Sequence, residues 1–357
     1  MAEKAILVAA KQAKQTKHNF EESVQELKLL AKTAGATAKE TITQELRTLN
    51  PATYIGKGKA AELKHTANIH QADVIIFNEQ LSPTQERNLN NLVGTKIVDR
   101  TTLILDIFAT HAHSKEGKIQ VELAQYQYLL PRLTGKGIAL SRLGGGIGTR
   151  GPGETKLESE RRRIRKQIQG LKKQLKKVEK QRETQRKKRS RQAKRLSIVG
   201  YTNSGKSTLL NKLTKANVQV ADKLFSTVDS TTRRLYLDNK QVTISDTVGF
   251  IEKLPTTLID AFKSTLDEVR EADIVLHVVN LASSDYKRQI STVNHILDEL
   301  DYHGPILLVL NKLDLLSKND IDLIKKEHPD AVVISAMEGI GLQRLRTKIT
   351  SFLRNNH

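Results

Sequence analysis

Short apolar runs alternate with stretches of helical period over the first 118 residues. Ala5-Ile6-Leu7-Val8 and Asp73-Val74-Ile75-Ile76-Phe77 are compact enough to read as buried strands. Phe20, Val24, Leu27 and Leu30 recur at three and four residues, which predicts a helix over Phe20 to Ala34. Ser82 followed by Pro83 marks another helix start, the hydroxyl as cap and the proline at the first helical position. Lys96-Ile97-Val98 and a helical stretch from Thr101 repeat the unit. This alternation predicts a small α/β domain over residues 1–118.

The pattern changes over residues 119–194. Val121 to Leu130 is helical in period, and Pro131 is expected to end it. Eight of the chain's 20 glycines then fall between Gly135 and Gly153, centred on the run GGGIGTRGPGET at 144–155. Beyond it Ile164, Ile168, Leu171, Leu175 and Val178 are spaced 4, 3, 4 and 3, the seam of a coiled coil. Such a helix needs a partner, and the helix before the glycines is the nearest. The expectation is a coiled-coil-like helical hairpin with a glycine-rich tip. From residue 195 to 357 strands return: Leu196–Val199, Val242–Ser245, Ile274–Val279, Ile306–Leu310 and Val332–Ile334. They are short, β-branched and apolar, as in a parallel sheet covered by helices on both faces.

Charge sharpens the middle region. The net charge is +20, and Glu160–Arg195 alone carries 18 basic and 3 acidic side chains, leaving +5 for everything else. A stripe this basic points to a polyanion, nucleic acid first, although a solvated helix without a ligand has the same composition. Cysteine is absent, which excludes a disulfide scaffold and a cysteine zinc site. His111 and His113 are too sparse for a metal centre. No apolar run nears the roughly 18 residues of a membrane span, and Ala5–Ala10 is too short for a signal-peptide core. A cytoplasmic protein is expected, and nothing in the sequence demands more than a monomer.

The chemistry lies in the third region. Gly200-Tyr201-Thr202-Asn203-Ser204-Gly205-Lys206-Ser207, followed by Thr208, fits G-x-x-x-x-G-K-S between a strand and a helix. The glycines let the backbone turn its N–H groups toward phosphate oxygens, Lys206 brings a cation to the outer phosphates, and Ser207 offers a hydroxyl to Mg²⁺. Asp246-Thr247-Val248-Gly249 ends the next buried strand, where an acid can hold Mg²⁺ and a glycine amide can reach a γ-phosphate. Asn311-Lys312-Leu313-Asp314 resembles the guanine-reading loop of GTPases, and Ser335-Ala336 resembles the loop supporting it. Phe225-Ser226-Thr227-Val228-Asp229, then Ser230 to Arg233, occupies the place of a switch loop that γ-phosphate orders. Thr227 is the first choice for the Mg²⁺ hydroxyl and Thr231 its rival. Lys206, Thr227 and Gly249 are the catalytic candidates. The order of the four motifs is similar to that of translation-factor-class GTPases, which implies a Ras-like nucleotide fold, GTP and GDP as ligands, and Mg²⁺. Where Ras-like proteins carry a water-orienting glutamine, this chain has Phe250, so slow intrinsic hydrolysis and an external activator are expected.

The resemblance narrows to the HflX family of ribosome-associated GTPases. It is carried by Tyr54–Lys59, Phe77–Pro83, Val98–Thr101, Ile104–Phe108, Val121–Gln125, Gly145–Thr155, Ala221–Phe225 and Asp246–Phe250. It implies an N-terminal α/β domain, a hairpin and a GTPase domain that binds the large ribosomal subunit and splits or rescues stalled ribosomes. It places Gly145, Gly146, Ile147, Gly148, Thr149, Arg150 and Gly151 against ribosomal RNA, where small residues let backbone and Arg150 approach closely. A GTP-gated assembly or hibernation factor is the alternative. Family members link the N-terminal domain to ATP, but Gly56-Lys57-Gly58-Lys59 lacks P-loop spacing and reads as a tight basic turn. Many members also carry a small domain beyond the GTPase, whose role is expected to be absent with the chain ending at His357.

Overall fold

The computed structural model describes residues 2–133, 152–189, 194–214, 224–225, 231–238, 240–252 and 263–355. The chain forms two compact units, Met1–Thr110 with Lys118–Lys176, and His111–Gly117 with Lys177–His357.

The first unit holds a four-stranded parallel sheet ordered β2-β1-β3-β4, from β1 (Glu3–Gln12), β2 (Ala36–Leu46), β3 (Val74–Phe77) and β4 (Lys96–Asp99). Helices α1 (Lys17–Thr33), α2 (Lys57–His70), α3 (Pro83–Val93) and α4 (Arg100–His111) connect the strands and continue the chain after β4. Ala5–Ala10 is buried throughout because β1 is an inner strand covered on both faces. Ser82 caps α3 as expected, and Gln85 returns the bond to the Ser82 N–H in a full capping box.

Two readings change here. Gly56-Lys57-Gly58-Lys59 is not a tight turn: Gly56 caps α2, and the next three residues are its first turn. Ala60, Leu63 and Ala67 bury at helical spacing, so the chain enters the helix at once. Pro131 does not stop its helix at Leu130. Helix α5 runs Lys115–Arg132 with the proline inside, and Leu133 N–H still donates to Leu129 O at 3.2 Å. A proline in the last turn removes one bond without blocking the turn before it. The helix α6 (Pro152–Arg189) pairs with α5 as the seam requires. Ile168, Leu171 and Leu175 pack on Ile119, Leu123 and Tyr126.

The second unit is a six-stranded sheet ordered β10-β9-β8-β5-β7-β6. Its strands are β5 (Lys194–Gly200), β6 (Thr231–Leu237), β7 (Lys240–Asp246), β8 (Ile274–Asn280), β9 (Ile306–Asn311) and β10 (Val332–Val333). Only β6 runs antiparallel. Helices α7 (Lys206–Thr214), α8 (Lys263–Arg270), α9 (Tyr286–Glu299), α10 (Lys318–Glu327) and α11 (Leu342–Asn355) complete it. Leu209, Leu213, Leu345 and Ile349 close one face, and Leu266, Val269, Val293 and Leu297 the other. Among the described residues no helix is long and apolar enough to cross a membrane, and no group of His, Asp or Glu could hold a metal by itself.

Candidate nucleotide-binding site

The loop 201–205 leaves β5 and enters α7, whose first residue is Lys206. Gly205 has φ +93°, and a Cβ there would lie 2.2 Å from Asn311 Nδ2. Gly200 meets Val278 O at the same 2.2 Å. Side chains are excluded at both positions, which is what the motif's glycines are for. Lys206 is buried, and its ammonium donates to Gly200 O (3.1 Å) and Tyr201 O (2.8 Å). Burial pulls its pKa down to about 8, opposed by the attraction of Asp246. Ser207 Oγ donates to Asp246 Oδ2 at 2.7 Å, with both residues buried. Two of the predicted Mg²⁺ ligands therefore meet, and two hard oxygen donors suit that ion. Thr202, Ser204 and Tyr201 are buried in the loop, while Asn203 is exposed at φ +58° and Thr208 sits half-buried in α7.

The segment after β7 is fastened to this loop. Thr247 Oγ1 donates to Ile198 O (2.8 Å), Phe250 N–H to Gly200 O (3.1 Å), and Thr202 N–H to Phe250 O (2.7 Å). Val248 is buried, and a Cβ on Gly249 would lie 3.1 Å from Lys206 Nζ. The Phe250 ring belongs to the core with Val199, Leu266 and Val293. Sequence reading marks Phe250 as unable to order water, and its packing gives the reason this position tolerates phenylalanine.

Asn311 links three loops. Its Nδ2 donates to Ser204 O (2.8 Å), and its Oδ1 accepts from Ala336 N–H (2.9 Å). Lys312 follows at φ +69°, Leu313 N–H donates to Ile334 O, and Ser335 Oγ donates to Asp314 Oδ1 at 2.5 Å. The P-loop, N-K-x-D and S-A motifs thus form one connected end of the sheet. Phe225 is buried at φ +55°. Thr231 opens β6 opposite Asp246, within a strand that sequence reading assigned to the switch loop. Ser226, Thr227, Val228, Asp229 and the tip residues Gly145 to Gly151 lie outside the described residues.

His277, on β8 beside Val199, reads in sequence as one position of a buried apolar strand, and nothing there reports the Lys206 charge near it. Burial first, then the charge of Lys206, drives its pKa down to about 4, opposed by the hydrogen bond the ring donates to Asn294. A histidine neutral when folded and protonated at 6.5 when unfolded loses stability as pH falls from about 6.5 toward about 4. Between pH 7 and 5 this amounts to about 2 kcal/mol. Urea titrations of parent and His277→Val at both pH values check it: the parent should lose that much more than the variant.

A mostly parallel sheet with a P-loop, a D-x-x-G turn and a joined N-K-x-D and S-A pair defines a P-loop GTPase. Three family models match in succession: GTP-binding GTPase N-terminal over residues 21–109, GTP-binding GTPase middle region over 111–189, and 50S ribosome-binding GTPase over 195–312. The GTPase HflX of Alkalihalophilus pseudofirmus is 49% identical over 355 residues, covering 99% of this chain and 83% of that protein. The GTPase HflX of Caldanaerobacter subterraneus is 50% identical over 364 residues, covering 98% and 83%. Among solved structures, SsGBP in complex with GDP is 27% identical with a TM-score of 0.55, covering 98% of both chains. The chain belongs to the HflX GTPase family. It binds guanine nucleotides and hydrolyses GTP.

Proposed function

We propose that the chain is a ribosome-stimulated GTPase that engages the large ribosomal subunit and its RNA and splits or rescues stalled ribosomes. The observation that carries this is helix α6. Its seam faces α5, while Arg162, Arg163, Arg165, Lys166, Lys172, Lys173, Lys176 and Lys177 are exposed. A rigid rod with a neutral seam and a basic outer surface suits an RNA backbone. The match to the ribosome-binding GTPase model over residues 195–312 supports the same partner.

In this reading residues 1–118, 119–194 and 195–357 act as three working parts. Residues 200–208 cradle the phosphates, with Lys206 on the outer ones. Asp314 reads guanine, and Asn311 holds the three loops in register. Ser207 and Asp246, with Thr227, would hold Mg²⁺, which would supply neutralising charge to the phosphates. Phe250 offers no polar atom to a water, so the ribosome supplies or orders the missing group.

The test is GTP turnover by the protein alone, with purified large subunits, and with free ribosomal RNA. Strong stimulation by subunits and little by RNA is expected, followed by separation of stalled ribosomes in a sedimentation assay. Stimulation without separation would favour an assembly or hibernation factor. Affinity for large subunits should also fall with salt. Changing Lys172, Lys173, Lys176 and Lys177 to Gln should flatten the log–log slope by roughly 0.7–0.9 for each lysine that meets a phosphate. An unchanged slope in the quadruple variant would remove α6 from the interface.

A further inference from the structure

Several stretches of the first unit that carry the family resemblance lie apart from the P-loop, N-K-x-D and S-A motifs, and the structure draws them together. Asp99, at the end of β4, is buried. It accepts hydrogen bonds from Leu81 N–H (2.9 Å), Thr102 N–H (2.9 Å), Thr102 Oγ1 (2.8 Å) and the Tyr128 hydroxyl. Arg132, the last residue of α5, stacks its guanidinium 3.4 Å from the Tyr128 ring centre. It donates to Leu81 O (2.7 Å) and Tyr128 O (3.1 Å) and pairs with Glu86 (3.0 Å) and Asp99 (3.5 Å). One side chain thus ties the end of α5 to β4, to the turn before α3, and to α3 itself.

We infer that Arg132 is a positioning residue: through Tyr128 and Asp99 it fixes the last turn of α5, and so the direction in which the chain sets out toward the glycine-dense segment. Stability alone does not explain the arrangement. A buried ion pair is often no better for stability than apolar packing, but a planar fork with several fixed acceptors admits one orientation. The last turn needs that help. Pro131 has no N–H to give to Gln127 O, so the turn is one bond short, and the Arg132 side chain adds a bond to the adjacent carbonyl, Tyr128 O. On the other side of the glycine-dense segment, the seam of α6 against α5 holds the returning helix. Neither contact touches nucleotide, so the device acts on partner engagement and not on the chemistry. This rests on the ribosome reading above.

The test uses the full chain and Arg132→Lys, which keeps the charge and loses the fork and the stacking. Large subunits are titrated against GTP turnover. The expected result is a half-stimulating concentration raised about tenfold, the scale of losing a hydrogen bond to a charged group. Basal turnover and the maximal stimulated rate stay within about twofold of the parent, a split that general destabilisation of the protein does not produce. The chain has no cysteine, so Thr84→Cys and Leu129→Cys accept spin labels cleanly, one on α3 and one on the last turns of α5. The distance distribution between them is expected to be narrow in the parent and broader in Arg132→Lys. Equal distributions would overturn the anchor. A broadened distribution with unchanged half-stimulation would overturn its role in engagement. If large subunits fail to stimulate the parent, the ribosome reading falls, and the spin-label arm still decides whether Arg132 fixes α5. Tyr128→Phe, which keeps the stacking and loses only the hydroxyl, is expected to fall between parent and Arg132→Lys in both readouts.

Discussion

Lys206→Ala is expected to lower GTP turnover by roughly 10²–10³-fold or more, with and without large subunits, the cost of deleting a group preorganised for developing negative charge. The carbonyls of Gly200 and Tyr201 hold the ammonium at 3.1 and 2.8 Å. That aims a cation along the inner wall of the loop, where the outer phosphates lie in a P-loop enzyme. Misfolding should not account for the loss. Burial already disfavours the charged form of Lys206, pulling its pKa down to about 8. Removing the group relieves that cost while leaving the Gly200 and Tyr201 carbonyls without their donor, so the second unit should melt within a few degrees of the parent. Turnover at saturating GTP, nucleotide affinity and a thermal melt separate these effects. Parent-like turnover in the variant would move hydrolysis out of this loop. ATP turnover that survives while GTP turnover disappears would assign a second activity to the N-terminal unit.

The sequence was most informative where chemistry forces a residue type. Gly205 is a glycine because Asn311 comes within 2.2 Å of where its Cβ would be, and such a constraint is visible as a motif. The α5–α6 pair was predictable for a similar reason, since the seam residues Ile168, Leu171 and Leu175 have one apolar partner face within reach. The edge strands β2 and β6 were harder. In β2 only Ile42 is buried, so the strand lacks the alternation that announces one. It is held by its backbone pairing along β1, which leaves no trace in hydropathy. In β6 the alternation is confined to Leu235 and Leu237, behind the exposed Thr232, Arg233 and Arg234 that look like loop. The contacts of Asn311 and Arg132 were hidden for another reason. Each joins segments 25 or more residues apart, and no local pattern reports them.

Asp314→Asn is expected to exchange the base preference from guanine toward xanthine. Guanine presents two donors on one edge, N1–H and the 2-amino group, and a carboxylate accepts both. An asparagine keeps one acceptor and turns a donor toward the amino group. Two hydrogen bonds to a charged acceptor are lost or reversed, which amounts to roughly 10²–10⁴-fold in GDP affinity. Xanthine carries a carbonyl in place of the amino group, so the asparagine amide donates to it while its oxygen still accepts N1–H. The carboxylate is well placed for this exchange, because Ser335 Oγ holds Oδ1 at 2.5 Å and fixes the plane of the group. Ser335 is itself next to Ala336, whose N–H is held by Asn311, and Asn311 reaches back to the phosphate loop at Ser204. Ser335→Ala should therefore weaken GDP binding several-fold without changing the preferred base, since the reading group remains and only its orientation loosens. Displacement of a fluorescent guanine nucleotide by GDP and by xanthosine diphosphate measures both variants. If Asp314→Asn still prefers GDP by the parent's factor, the base is read elsewhere and the N-K-x-D loop serves only to join the loops.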